Sequence, residues 1–351
     1  MITAVALPFH PRIPGKPRVL VIQTAFLGDV VLATGVLETL RHHHPEAELG
    51  FLLRKGNEAV LEGHPFLSRL WVWNKKSSKF SSLWRIIREI RDWKPDAVVN
   101  LHRFFNSGLV TVLSGAGYST GFRDNPLSFL FTRSFQHVVG KKGDATFPHE
   151  TDRNHQLLSG WCGGAAGVPR IYPGRETRER IAHLQSGPYV CMAPASVWLT
   201  KQWPAANWVA LLNQIPDNFR IYLLGGPQDA GLCGHIRDSG GQSRVVSLAG
   251  KLSIPESAAL MQGATENYVN DSGPLHLASA VGAPVTAIFC STIPEFGFGP
   301  LSRKSRIIET SLTLSCRPCG LHGKKKCPEG HFRCAPETDS GQFWRFGPES
   351  G

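Results

Sequence analysis

The sequence has no apolar run long enough to cross a bilayer, so no membrane-spanning helix is expected. The segment ahead of residue 18 has an apolar patch and four prolines, with no charged region before it and no clear cleavage site. It reads as an irregular lead-in, not a secretory signal, and a cytoplasmic protein is expected. Helix-turn-helix, RNA-recognition and zinc-finger patterns are also missing, which argues against a nucleic-acid partner. Acidic residues are scarce: 27 Asp and Glu stand against 38 Lys and Arg, a net charge of +11. That excess favours anionic partners such as phosphates or an acidic membrane surface, without choosing among them. The runs Lys75-Lys76 and Lys324-Lys325-Lys326 read by default as solvated surface. With 42% hydrophobic and 19% charged residues, the chain should fold, and 351 residues are enough for two domains.

Short β-rich runs alternate with longer helical ones. Strands are expected at 18–22, 49–53, 70–73 and 97–101, with helices at 28–41 and 83–92. A second series places strands at 189–193, 220–224, 245–248, 268–270 and 284–289, with helices at 204–214 and 274–281. Alternation of this kind builds parallel sheets from βαβ units. The Gly-, Pro- and Arg-rich stretch 163–187 separates the two series as a linker. The expected fold is α/β, two doubly wound domains facing across a cleft, with ligands at the carboxyl ends of the strands.

Four strand ends carry chemistry. Asn270-Asp271-Ser272-Gly273-Pro274-Leu275-His276 puts a carboxylate, a hydroxyl and free backbone N–H groups at a helix start, which suits a phosphate. An ordinary helix cap is the plainer reading. Gly28-Asp29 follows the first strand, where Asp29 can act as general base on a sugar hydroxyl or cap its own helix. In the loop 196–204, Lys201 supplies a point charge for a diphosphate, and Ser196 and Thr200 supply hydroxyls. Asp229, past Gly225-Gly226, can hold ribose hydroxyls or shape its turn. Together these positions point to a nucleotide-sugar enzyme.

Eight cysteines are present. Cys162, Cys191, Cys233 and Cys290 are scattered, whereas Cys316, Cys319, Cys327 and Cys334 cluster as C-x2-C-x7-C-x6-C. Thiols are expected, not disulfides. The cluster is a candidate structural zinc site, or thiols packed in a tight loop without metal. The adjacent His42-His43-His44 point different ways on a helix and do not make a metal site.

In this order, Leu27-Gly28-Asp29-Val30-Val31-Leu32-Ala33-Thr34, His149-Glu150-Thr151-Asp152-Arg153-Asn154, Thr200-Lys201-Gln202-Trp203-Pro204, residues 270–278 and residues 294–300 resemble the lipopolysaccharide heptosyltransferases of glycosyltransferase family nine. The cysteine-rich stretch looks most like the heptosyltransferase II branch. The resemblance implies a GT-B fold of two Rossmann-like domains: an acceptor domain at 18–170, a linker at 171–187 and an ADP-sugar domain at 188–335. Residues 1–17 and 336–351 would be an irregular lead-in and tail. It implies inverting, single-displacement transfer of heptose from ADP-heptose to an acidic lipid A–core acceptor, by a peripheral protein at the inner leaflet. A catalytically inert nucleotide-sugar or glycolipid binding module is the alternative.

By the same resemblance Asp29 would be the base and Lys201 would stabilise the leaving ADP, with no cofactor required for catalysis. Ser196, Thr200, Lys201, Asp229, Asp271, Ser272, Gly273 and His276 would bind the donor. Gly28, Lys75, Lys76, Arg103 and Arg123 would meet the acceptor. The mixture of Trp71, Trp73, Phe80 and Trp84 with Lys75, Lys76, Lys79, Arg85, Arg88 and Arg91 suggests a contact with the acceptor or membrane, or a plain amphipathic helix. Ala195 and Cys290 stand where the family has Gly, and Val269 where Thr is common. Ala195 would clash if its position needs positive φ. The tail also lacks the family's closing amphipathic helix.

Overall fold

The computed structural model describes residues 15–75 and 79–337, and for residues 79 and 80 the backbone alone. Lys76, the lead-in before residue 15 and the tail beyond residue 337 lie outside the described residues. The chain divides into two compact units: residues up to Val138 with Pro148–Arg170, and Val139–Phe147 with residues from Ile171 onward.

The first unit runs β1 Arg18–Ile22, α1 Leu27–His43, β2 Glu48–Arg54, β3 Leu67–Trp73, α2 Lys79–Trp93, β4 Ala97–Asn100, α3 Phe105–Leu113, β5 Tyr118–Phe122, β6 Arg133–Phe135 and α4 Glu150–His155. Its six strands are parallel, in the order β3-β2-β1-β4-β5-β6. The interior strands read as unbroken apolar runs because helices cover both faces of such a sheet. Val19, Leu20, Val21 and Ile22 of β1 are fully buried. Gly50 on β2 is a packing requirement: a Cβ there would lie 2.7 Å from the Trp71 ring, which meets Trp93 edge-to-face.

That packing decides the fate of the aromatic-basic segment. Trp71 and Trp73 are core residues, and α2 buries Leu83, Ile86, Ile87 and Ile90 while Arg85, Arg88 and Arg91 stay wet. Among its described aromatics only Trp84 is exposed. The segment is an amphipathic helix with its preceding strand, its apolar stripe turned to the core.

The second unit runs α5 Arg175–Ile181, β7 Tyr189–Ala193, α6 Ala205–Leu212, β8 Arg220–Leu223, α7 Ala230–Gly240, β9 Val245–Ser247, α8 Ile254–Gly263, β10 Glu266–Asn270, α9 Gly273–Ala280, β11 Val285–Phe289 and β12 Ser305–Glu309. Its parallel strands are ordered β12-β11-β10-β7-β8-β9. Residues 171–187, expected as a linker, contain α5, which docks on α8 through Arg180–Glu256 at 2.7 Å and Arg178–Gln262 at 2.8 Å. Residues 139–147 also belong to this unit: Lys142 Nζ donates to the Leu314 and Arg317 carbonyls.

Each sheet grows outward in both directions from its first strand, so strand order reverses between β1 and β4 and between β7 and β10. Loops leaving the carboxyl ends of neighbouring strands diverge at such points, which leaves a crevice for ligand. Two doubly wound α/β units make this a GT-B fold. Among the described residues, no helix is long and apolar enough to cross a membrane.

Candidate functional site

In the first unit, the loops after β1 and β4 flank the switch point. Asp29 sits in the first turn of α1 and accepts a hydrogen bond from the Phe26 N–H at 3.1 Å. It therefore caps its helix while retaining partial exposure to solvent. Its pKa is pushed up to about 6, first by desolvation and then by the negative charge of Glu150; the Phe26 N–H and Arg103 oppose the rise. A carboxylate of this kind binds a proton far better than a free Asp, as a general base at neutral pH should.

Glu150 stays ionised. Burial disfavours its charge, but His137 at 3.0 Å and Arg153 at 2.7 Å outweigh burial and hold the pKa below the ordinary value. His102 faces the same loops, bonded through Nδ1 to Thr24 Oγ1 at 3.2 Å. Burial pushes its pKa down to about 3, and the charges of Lys75, Arg103 and Arg54 push the same way. Three cations therefore converge on a neutral imidazole, and two of them, Arg54 and Arg103, also act on Asp29. Lys75 Nζ donates to the Thr24 carbonyl at 2.7 Å, and Arg54 lies over the Phe26 ring. Arg103 makes a loose pair with Asp124 at 3.9 Å. Arg123 is exposed in the turn after β5, and Gly28 is the second residue of α1. Arg54 and His102 were not singled out from the sequence; a basic or imidazole group at a strand end was the available signal.

In the second unit, Lys201 and Asp271 meet at the β7/β10 switch point. Lys201 Nζ lies 2.7 Å from Asp271 Oδ2, which also accepts from Thr292 Oγ1 at 2.6 Å. Both side chains are largely buried. Ser272 precedes α9 without capping it; its hydroxyl points to the Ala195 and Asn270 carbonyls at 3.4 Å. The plain cap reading of Asp271-Ser272 is thus not what the structure shows. Gly273 opens the helix, and His276 is buried one turn on, edge-to-face with Phe298. Asn270 ties the loops together, donating to the Pro194 carbonyl and accepting from the Trp203 N–H.

Three expected donor residues are placed differently. Thr200 is buried, and its hydroxyl accepts from the Lys324 N–H at 2.7 Å and from Ser291 Oγ at 2.9 Å. It clips the cysteine-rich segment to the sheet and does not present a free hydroxyl. Gly323 makes the clip close: a Cβ there would lie 3.0 Å from Lys201 Cγ, and its φ of +77° suits glycine. Asp229 closes its own turn, accepting from the Gly226 N–H at 2.8 Å. Ser196, partly exposed after β7, offers its carbonyl to Gln202 at 2.7 Å. Ala195 is not among the positive-φ residues, so its methyl brings no backbone strain. Val269 and Cys290 are fully buried.

Among the described residues, no three His, Cys, Asp or Glu side chains are grouped so as to hold a metal ion. Cys334 packs into the core of the second unit with Cys316 against it, and burial, with Cys319 and Cys327 nearby, pushes the Cys334 thiol up to about 11. Arg317 anchors the segment, donating to the Cys290 and Thr292 carbonyls and to Glu309.

Comparison with known proteins fits this geometry. Residues 83–331 match the family described as Glycosyltransferase family 9 (heptosyltransferase). Lipopolysaccharide heptosyltransferase 3 of Escherichia coli is 27% identical over 281 residues, 76% of this chain and 82% of its own length. The glycosyl transferase family 9 protein of Veillonella parvula superposes with a TM-score of 0.75 at 23% identity, covering 84% of this chain and 86% of that one. The E. coli heptosyltransferase WaaC with ADP gives 0.68 at 18% identity, covering 83% and 92%. Curated relatives carry the designations heptosyltransferase 1, 2 and 3 alike, so the similarity does not single out the second branch. The family match takes in the later half of the first unit and nearly all of the second, including the β7/β10 switch point, and the chain belongs to glycosyltransferase family 9, the heptosyltransferases, and is a glycosyltransferase.

Proposed function

We propose that the protein transfers heptose from ADP-heptose, with inversion, to an acidic lipid A–core acceptor at the inner leaflet, as a peripheral cytoplasmic enzyme. The observation that carries this reading is Asp29: in a family of glycosyltransferases, a carboxyl with a pKa of about 6 stands at a sheet's switch point and interacts with Arg54 and Arg103. Asp29 takes the proton of the acceptor hydroxyl as that oxygen attacks the anomeric carbon. The bond from that carbon to the diphosphate oxygen breaks on the opposite face, and ADP leaves with the electron pair. Arg54, Lys75 and Arg103 meet phosphate on the acceptor.

The donor reading draws support from relatives named for heptose transfer and from a neighbour whose structure contains ADP. Lys201 rests on Asp271 until diphosphate competes for its ammonium, and the α9 N-terminus adds its dipole. Gly273 lets the backbone approach the donor, while Ser272 and His276 border it. Ser196 and Asp229 lie at the ends of neighbouring strands, within the same rim of loops.

The test is ADP release from ADP-heptose with and without a heptosyl-Kdo2-lipid A acceptor, in wild type and Asp29→Ala. Acceptor-dependent release, lost in the variant, is expected. Folded wild-type protein that binds ADP but never turns over would replace this reading with that of an inert binding module. Release that survives Asp29→Ala would remove Asp29 as base.

A further inference from the structure

The loops after β4 and β5 expose large apolar side chains that the fold could have buried. Phe104 is 66% exposed, Phe105 52%, Phe129 77% and Leu130 53%. Single exposed hydrophobics need no explanation, but these are not scattered. Asn125, itself buried, binds the two loops together. Its Nδ2 donates to the His102 and Phe104 carbonyls, both at 3.0 Å, and to Ser107 Oγ at 3.3 Å, while its Oδ1 accepts from the Leu127 N–H at 3.0 Å. Gly108 lets the loop come this close, since a Cβ there would meet Asn125 and Leu127. Ser128 Oγ bonds to the Arg123 carbonyl at 3.0 Å, which steadies the turn that carries Phe129. The four apolar side chains thus stand on one braced platform.

The charges around it are mainly basic. Arg103 and Arg123 come from the same two loops, with Asp124 as the acidic member. Arg54 and Lys75 act on His102, whose ring lies 4.8 Å from that of Phe104. Exposed aromatic rings rimmed by cations match a surface that offers acyl chains below and negative headgroups above.

We propose that Phe104, Phe105, Phe129 and Leu130 form the edge by which the first unit enters an anionic lipid bilayer, with Arg103 and Arg123 at headgroup level. The docking edge is then the tips of the β4 and β5 loops, next to Asp29's own switch point, and not helix α2. The physiological meaning rests on the lipid-linked acceptor proposed above; the binding itself does not.

The experiment is flotation of the full chain with vesicles of phosphatidylethanolamine and phosphatidylglycerol. Wild type should partition to these vesicles at least about tenfold better than to phosphatidylcholine, a difference of about 1.4 kcal/mol. Phe104→Ser/Phe129→Ser should lose at least about tenfold in partition with melting temperature and ADP affinity unchanged. Arg85→Glu/Arg88→Glu on α2 should float as wild type does. Equal partition of wild type and the Phe variant would overturn the proposal, as would loss in the α2 variant alone or equal binding to neutral vesicles. Wild type that ignores vesicles but self-associates, with association abolished by the Phe substitutions, would give the patch to a second copy and also overturn it. Failure of ADP binding would strike the donor reading and leave the flotation result standing.

Discussion

Replacing Asp29 by Asn should make the protein more stable and nearly inactive, and the gain should depend on pH. In the folded chain Asp29 has a pKa of about 6, against 3.8 for the free group, because desolvation and Glu150 disfavour its charge. The raised value means the folded state holds the proton more tightly than the unfolded state does. Folding is therefore unpenalised below about pH 4, loses stability as pH rises through about 6, and carries the full penalty above that. The shift of about two units corresponds to a ceiling of about 3 kcal/mol at about 1.4 kcal/mol per unit. Partial exposure lets water screen the charge, so about 1–2 kcal/mol is the expected cost. Asn keeps an oxygen to accept from the Phe26 N–H, so the cap survives. Thermal unfolding at pH 4, 6 and 8 should show no difference between wild type and Asp29→Asn at pH 4. At pH 8 the variant should melt a few degrees higher. Transfer should fall by about a hundredfold or more. A variant less stable than wild type at every pH would refute the argument, and would leave Asp29 as a helix cap alone.

Three other perturbations test other parts of the structure. Lys201→Met leaves the buried Asp271 carboxylate without its cation, with the Thr292 hydroxyl still bonded to it, so the second unit should lose about 3 kcal/mol in urea unfolding and bind ADP at least about tenfold more weakly. Adding Asp271→Asn should restore the stability but not the ADP affinity; recovery of both would disprove the role given to Lys201. Glu150→Gln removes a negative charge that raises the Asp29 pKa, so the acid limb of the pH–rate profile should move to lower pH, and a limb that stays put would count against the coupling. Gly50→Ala pushes a methyl into the Trp71 ring and should cost about 1–3 kcal/mol of stability while ADP affinity, measured by calorimetry, is unchanged.

Much of the fold was legible because its signals are local. Apolar runs such as Val19–Ile22 and Val190–Ala193 are continuous, and in a parallel sheet covered on both faces that pattern has little alternative. The sequence reading also passed over α3, β5, α7, α8 and β12, and the shortest or most charged elements gave the weakest signal. Strand β6 is only Arg133–Phe135, and α5 is a charged heptapeptide that packs through Thr177 and Ile181. The aromatic-basic segment stayed open between two readings for a related reason: composition does not say which way a tryptophan faces, and Gly50, lacking a Cβ, leaves the room that the inward Trp71 ring fills.

The sequence by itself determined the two α/β units, the strand ends where chemistry could sit, and Asp29, Lys201 and Asp271 as residues to watch. These follow from periodicity and turn chemistry within a few residues of one another. Only the tertiary structure decided what those side chains do. It paired Lys201 with Asp271, turned Thr200 away to clip Lys324, kept Asp229 for its own turn, and gathered Arg54, Lys75 and Arg103 around His102. It also braced Phe104 and Phe129 together through Asn125. Apart from the local turn at Asp229, each of these depends on desolvation or on contact between loops far apart in the chain. Neither is a property of a short stretch of sequence, because burial and charge proximity exist only once the strands have brought their ends together.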